Sequence, residues 1–177
     1  QVPSIEESVT FLRSEGITPW GETIDDEGTK YAYIHPRGGG QGVLFQLYES
    51  EFAWNQAQGF SDTNISHLGI TALNHVCHVT ESREQTASWY KKFFGLSTVY
   101  QSPLGTSSND GDHKVQFSSH VLDWPTEQSR IELLEPHGDG SFLYDFVDKR
   151  GAGLHHLTFQ VSDFEQALAA CENYGVS

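Results

Sequence analysis

Methionine is absent from all 177 residues, cysteine occurs only twice, and ten Lys and Arg face 24 Asp and Glu. Two cysteines, Cys77 and Cys171, make no disulfide framework, which fits a reducing, cytoplasmic setting. A formal charge of −14 repels phosphate backbones and anionic headgroups, so nucleic acid and membrane surfaces are excluded as expected partners. No apolar run approaches the roughly 20 residues that span a bilayer, and no segment reads as a signal peptide. Without a methionine, the chain is expected to start at a processed or cut end, as part of something longer. What is present, 37% hydrophobic residues with 12% aromatics, suffices for one well-buried domain or two small ones.

The chain repeats itself. Leu73-Asn74-His75-Val76-Cys77-His78-Val79 and Gly153-Leu154-His155-His156-Leu157-Thr158-Phe159-Gln160-Val161 both read as strands running into capped helices that close on Gly-(Leu/Val)-Ser. The first residues, Gln1 to Glu7, lie over Gln160 to Gln166, and Gly16-Ile17-Thr18 over Gly175-Val176-Ser177. A repeat of this kind makes the unit of architecture a strand and helix rather than the whole chain.

In residues 1–49 the capping box Ser4-x-x-Glu7 starts a helix with Ile5, Val9 and Leu12 on one stripe, and Gly16 stops it. Strands follow at 18–25, 30–35 and 43–48, the last two separated by Pro36-Arg37-Gly38-Gly39-Gly40, read as a flexible hairpin loop. Residues 50–72, with Phe52, Trp54 and Phe60 scattered among polar residues, read as a linker. Residues 73–136 form a complete strand, helix and three strands: Ser82 caps the helix, Gly95 ends it, and strands are expected near 98–102, 113–122 and 129–135, with 107–112 a polar hairpin or loose loop. Residues 137–152 connect through a short helix, 142–149, and 153–177 open a further copy. The order is therefore αβββ, βαβββ, βα. The first fragment lacks its opening strand and the last lacks its final three.

Alternation along each strand separates its faces. It puts His75, Cys77 and Val79 on one side, and likewise Gln46, Glu132 and His156 on the side away from the helices. His78, His155, Leu157, Phe159 and Val161 fall to the helix side. Imidazoles, one carboxylate and one amide oxygen make a mixed N/O donor set suited to a divalent transition metal acting as a Lewis acid. No H-x-x-x-H or C-x-x-C cluster is present, so spacing alone does not select these four.

A resemblance does select them. Leu-Asn-His-Val at 73–76, Trp-Tyr-Lys-Lys-Phe-Phe-Gly-Leu at 89–96, Ile-Glu-Leu-Leu-Glu-Pro at 131–136, Arg-Gly-Ala-Gly-Leu-His-His-Leu at 150–157, and Ile-His-Pro with Gly-Val-Leu-Phe-Gln-Leu at 34–36 and 42–47 resemble the vicinal oxygen chelate (glyoxalase/bleomycin resistance/dioxygenase) superfamily, and within it the methylmalonyl-CoA epimerases. The resemblance implies an α+β fold of paired βαβββ modules whose mixed sheet curves into a cup with helices outside, here in permuted, swapped or truncated order. It assigns metal-ligand roles to His75, Glu132, His156 and Gln46, with cobalt, nickel, zinc, manganese or iron as the divalent ion. It also implies a small-molecule carbonyl substrate, such as an acyl-CoA, whose α-proton leaves as an enolate is stabilised, in a homodimer that exchanges strands if the cup closes between chains.

Two positions depart from the epimerase pattern. Gln46 stands where those enzymes usually carry Glu, leaving one anionic ligand, Glu132, which also takes a catalytic role. Gln116 occupies the position of the expected catalytic carboxylate within His113-Lys114-Val115-Gln116-Phe117, and an amide has no useful pKa near neutrality. Two further readings share the donor set: an Fe(II) dioxygenase, because two histidines and a carboxylate approximate a facial triad, and a ligand-binding or resistance module without turnover. Lys91, Lys92, Lys149 and Arg150 sit at helix ends and read first as solvated charge, second as partners for coenzyme A phosphates.

Overall fold

The computed structural model describes residues 1–26, 28–49, 67–110, 113–126, 128–138 and 141–176. Phe52, Trp54, Phe60 and most of the expected linker lie outside the described residues. The chain divides into two compact units, Gln1–Ser61 and Asp62–Ser177. Among the described residues no helix is long and apolar enough to cross a membrane.

In the first unit, helix α1 (Ile5–Ser14) begins where Ser4 Oγ accepts the Glu7 N–H, and Gly16 leaves it with φ of 80°. This is the cap and stop that the sequence predicts. Strands β1 (Trp20–Ile24), β2 (Lys30–Ile34) and β3 (Phe45–Tyr48) form an antiparallel meander. Ile5 and Val9 of α1 pack on Ala32, with Val2 and Leu47 closing the cluster. Glu49 ties the two layers, its carboxylate accepting the Ile5 N–H at 2.8 Å; this hydrogen bond at the helix start holds its pKa below the usual carboxylate value. The glycine loop is more definite than the sequence suggests. Gly38 and Gly40 both donate to the His35 carbonyl, and a β-carbon on Gly40 would sit 2.3 Å from the Val43 carbonyl oxygen. The turn runs on to Gly42 and Val43, so β3 begins two residues later than the predicted start at Val43.

The second unit opens with β4 (Ile70–Val79), three residues earlier than expected. Helix α2 (Arg83–Phe94) follows, capped by Ser82 and ended by Gly95 at φ of 72°. Next come β5 (Ser97–Gln101), β6 (Thr106–Asp110), β7 (His113–Asp123), β8 (Arg130–His137), α3 (Phe142–Arg150), β9 (Gly153–Val161) and α4 (Phe164–Asn173). The expected hairpin near 107–112 is β6 against β7, in register from Thr106 with Phe117 to Asp110 with His113. The sheet runs β5-β7-β8-β4-β9, with β4 and β8 parallel and the other neighbours antiparallel. The chain is α+β, with two sheets and four helices among the described residues.

Alternation assigns the faces of the central strands well, and α2 shows why. Its buried residues Thr86, Ala87, Trp89 and Tyr90 cover one face, and Tyr90 Oη lies 3.0 Å from Nδ1 of the fully buried His78. The opposite face is not free of helices, as the sequence had suggested. Helix α3 packs there, joining Leu143 to Cys77, Val79, Val115 and Leu134, so only half of that face remains open. The expectation for β9 is also corrected. Leu157 and Phe159 are 55% and 47% exposed rather than under a helix.

Candidate metal centre

The open half of the face carries His75 from β4, Glu132 from β8 and His156 from β9. Register brings them together: Cys77 pairs with Glu132 on one side and with His156 on the other, which puts all three side chains on one face around the second half of β4. One donor atom from each lies within 4.8 Å of the other two. His75 Nε2 stands 3.2 Å from Glu132 Oε2, and the two imidazole centroids are 6.0 Å apart.

The second nitrogen of His75 shows what these atoms want. Asn74 Oδ1 lies 2.9 Å from His75 Nδ1, and a carbonyl oxygen only accepts, so Nδ1 carries a proton and, in the neutral imidazole, Nε2 has the lone pair. Two lone-pair donors 3.2 Å apart need a cation between them. A proton serves two acceptors, and a third donor, His156, makes this a set that could hold a metal ion. Bonds of about 2.0–2.2 Å to nitrogen and oxygen would place ligand atoms about 3.4 Å apart, close to the 3.2 Å between His75 Nε2 and Glu132 Oε2. The donor set fits a divalent ion.

The neutral form of His156 is favoured. Partial burial lowers its pKa most, Glu132 opposes this, and His75 adds to the lowering. Cys77, on the same face, is fully buried and its thiol is pushed up to about 12, by burial first and by Glu132 second, so it offers no thiolate at neutral pH.

A pocket of about 370 Å³ adjoins His75 and Glu132, walled by Asn74, Val99, Tyr100, Val121 and Arg130. Arg130 is half-exposed, with Nε 3.4 Å from Asp123 Oδ2. The sequence placed Arg130 on this face but did not single out Tyr100, because β5 is an edge strand with no apolar alternation to orient it; its pairing with Val121 across β7 supplies the orientation.

Gln46 is not one of the clustered three. It lies on β3 in the first unit, exposed and opposite Tyr33. Gln116 is not brought to the three donors. Unbroken register from Gln116 with His137 to Val121 with Glu132 puts Gln116 five residues, about 16 Å, along β7 and on the other face. Its side-chain oxygen lies instead near Gly138. His155 also departs from alternation, with its Nδ1 only 2.8 Å from that of His156 and its ring between Phe142 and Phe146 of α3. Lys149 pairs with Asp145 at 3.0 Å, and Arg150 lies over the Phe146 ring.

Relatives bear on the same residues. The chain is 31% identical over 119 residues to the mitochondrial methylmalonyl-CoA epimerase of Dictyostelium discoideum, covering 66% of each protein. It is 32% identical over 95 residues to an ethylmalonyl-CoA/methylmalonyl-CoA epimerase of Cereibacter sphaeroides, covering 53% of this chain and 63% of that enzyme. The matched segments thus span a little under two thirds of these relatives. Among solved structures, methylmalonyl-CoA epimerase from Mycobacterium tuberculosis superposes with a TM-score of 0.52 at 25% identity, over 62% of this chain and 67% of that one. Residues 74–177, which run from within β4 through α4 and contain all three clustered donors, match the family model, and the chain belongs to the Glyoxalase/Bleomycin resistance protein/Dioxygenase superfamily.

Proposed function

We propose that this chain is a metal-dependent enzyme of the epimerase or glyoxalase type, acting on a carbonyl-containing small molecule such as an acyl-CoA. One observation carries the reading: His75, Glu132 and His156 converge from three strands on one point beside a pocket. These three would hold a divalent ion, which when bound supplies Lewis acidity toward a carbonyl oxygen and acidifies the neighbouring C–H. The relatives named for methylmalonyl-CoA support the acyl-CoA class.

The chain's own residues divide the remaining work. The Arg130 guanidinium offers a charged donor to an anionic substrate, and Val99 and Val121 form the apolar wall beside it. Among the described residues Glu132 is the carboxylate lining this pocket, so we assign it transfer of the α-proton on one face of the carbon. Inversion at carbon needs a second proton carrier on the opposite side, and the Tyr100 hydroxyl is the lining group available for it. Gln46 carries a separate proposal, as a neutral fourth ligand whose replacement by Ala weakens metal binding. The same reading carries a homodimer, which sedimentation velocity tests.

Incubation of the metal-loaded protein with methylmalonyl-CoA in heavy water tests the activity. Deuterium appears at the α-carbon, and Glu132→Gln abolishes it; no incorporation by the loaded protein removes the epimerase version. A second reading has its own support, since two histidines and one carboxylate are also the set of Fe(II) oxygenases. Oxygen uptake with iron and a catechol or 2-oxo acid would establish it instead.

A further inference from the structure

Each of the two clustered histidines is preceded by a residue that regular pairing would send to the other face. Across β4 and β9, Leu73 pairs with Phe159 and His75 with Thr158, so Asn74 is an extra residue on β4. Cys77 pairs with His156 and His78 with Leu154, so His155 is an extra residue on β9. These are two of the three register shifts between β4 and β9, the third lying between Ile70 and Ala72. In an unbroken strand neighbouring side chains point to opposite faces and cannot meet. Here Asn74 Oδ1 reaches His75 Nδ1 at 2.9 Å, and His155 Nδ1 reaches His156 Nδ1 at 2.8 Å. A bulge re-aims one side chain, and both do so toward the same atom of the following imidazole.

We propose that Asn74 and His155 are positioning residues, each holding the next histidine by Nδ1 so that both imidazoles present Nε2 to the metal. The inference rests on the metal-enzyme reading above. Asn74 Oδ1 accepts from His75 Nδ1–H, which leaves the Nε2 lone pair facing Glu132. His156 Nδ1–H donates to His155 Nδ1, whose own proton then sits on Nε2. His155 is itself fixed, its ring centroid 5.7 Å from that of Phe142 and 4.9 Å from that of Phe146. Helix α3 thereby reaches the centre through a chain of contacts, Phe146 to His155 to His156, without supplying a ligand. Partners that orient a ligating imidazole in this way set both its tautomer and its basicity.

The test measures metal affinity rather than turnover. The 177-residue chain, stripped by a chelator, is titrated with Zn²⁺ against a chromophoric competitor, and with Co²⁺ for its visible absorption. Asn74→Ala and His155→Phe each weaken binding by about 10–100-fold. Asn74→Asp and His155→Asn, which keep an acceptor where the Nδ1 contact is made, hold at least the parent affinity. Apo-protein melting separates this from loss of fold, and a long-range proton–nitrogen spectrum of the metal-bound parent shows Nδ1–H on both His75 and His156. A parent that binds no metal, or binds it as well after His75→Ala, ends the metal-enzyme reading and this inference with it. A parent that needs His75 while Asn74→Ala and His155→Phe bind as tightly overturns this inference alone. So does an Nε2–H tautomer at either histidine in the loaded protein, or equal loss in the conservative variants.

Discussion

Metal binding to the second unit should be visible as heat resistance, with a size that the geometry sets. The three donors come from β4, β8 and β9, strands separated by up to 81 positions in sequence, so an ion held by all three binds the folded unit and not the unfolded chain. At free metal 100 times the dissociation constant, linkage stabilises the fold by about 2.7 kcal/mol. For a unit of roughly a hundred residues, about 1 kcal/mol moves the melting temperature by about 4 °C, so the expected rise is about 10 °C. His156→Ala removes one of three donors while leaving its pairing strand intact. If affinity drops about 100-fold, metal at the same concentration equals the new dissociation constant, and the stabilisation shrinks to about 0.4 kcal/mol, or about 2 °C. Scanning calorimetry with and without Zn²⁺ measures both shifts. An undiminished rise in His156→Ala would refute convergence of these donors on one ion.

Three further outcomes follow from particular contacts. Gly40→Ala drives a β-carbon against the Val43 carbonyl and destabilises the first unit by about 2 kcal/mol or more, read from urea unfolding; an unchanged midpoint would show that the turn yields freely. Under native conditions at mildly alkaline pH iodoacetamide labels Cys171 and spares Cys77, whose buried thiol is pushed up to about 12, and mass spectrometry of the two peptides decides it. The pKa of His120 is lowered from 6.5, first by burial, then by Lys91 and Arg83, with Glu84 opposing. The unfolded chain therefore binds a proton that the folded one refuses, so this contribution is complete above pH 6.5 and is lost as pH falls through the lowered folded value. His120→Gln flattens the loss of stability below pH 6.5, and an identical slope in the variant would contradict the assignment.

Much of the architecture is local chemistry and could be read along the chain. Ser4 and Ser82 cap helices, Gly16 and Gly95 end them, and the apolar stripes of α1 and α2 are the residues that become buried, because caps and helical periods depend on near neighbours only. Alternation likewise put His75, Glu132 and Arg130 on one face, since β4 and β8 pair without interruption there. Alternation fails where pairing slips, and slippage is a property of two strands at once. The bulges at Asn74 and His155 arise from the register of β4 against β9, some 80 positions apart, and no window of sequence contains both. The same limit hid the placement of α3 over Cys77 and Val79, and moved Gln116 away from the centre along β7. Sequence alone determined the helices, the strands other than β6, their order and the residue types able to hold an ion. Tertiary structure decided which of those side chains share a point in space, because that depends on strand register, which is fixed by contacts between distant segments.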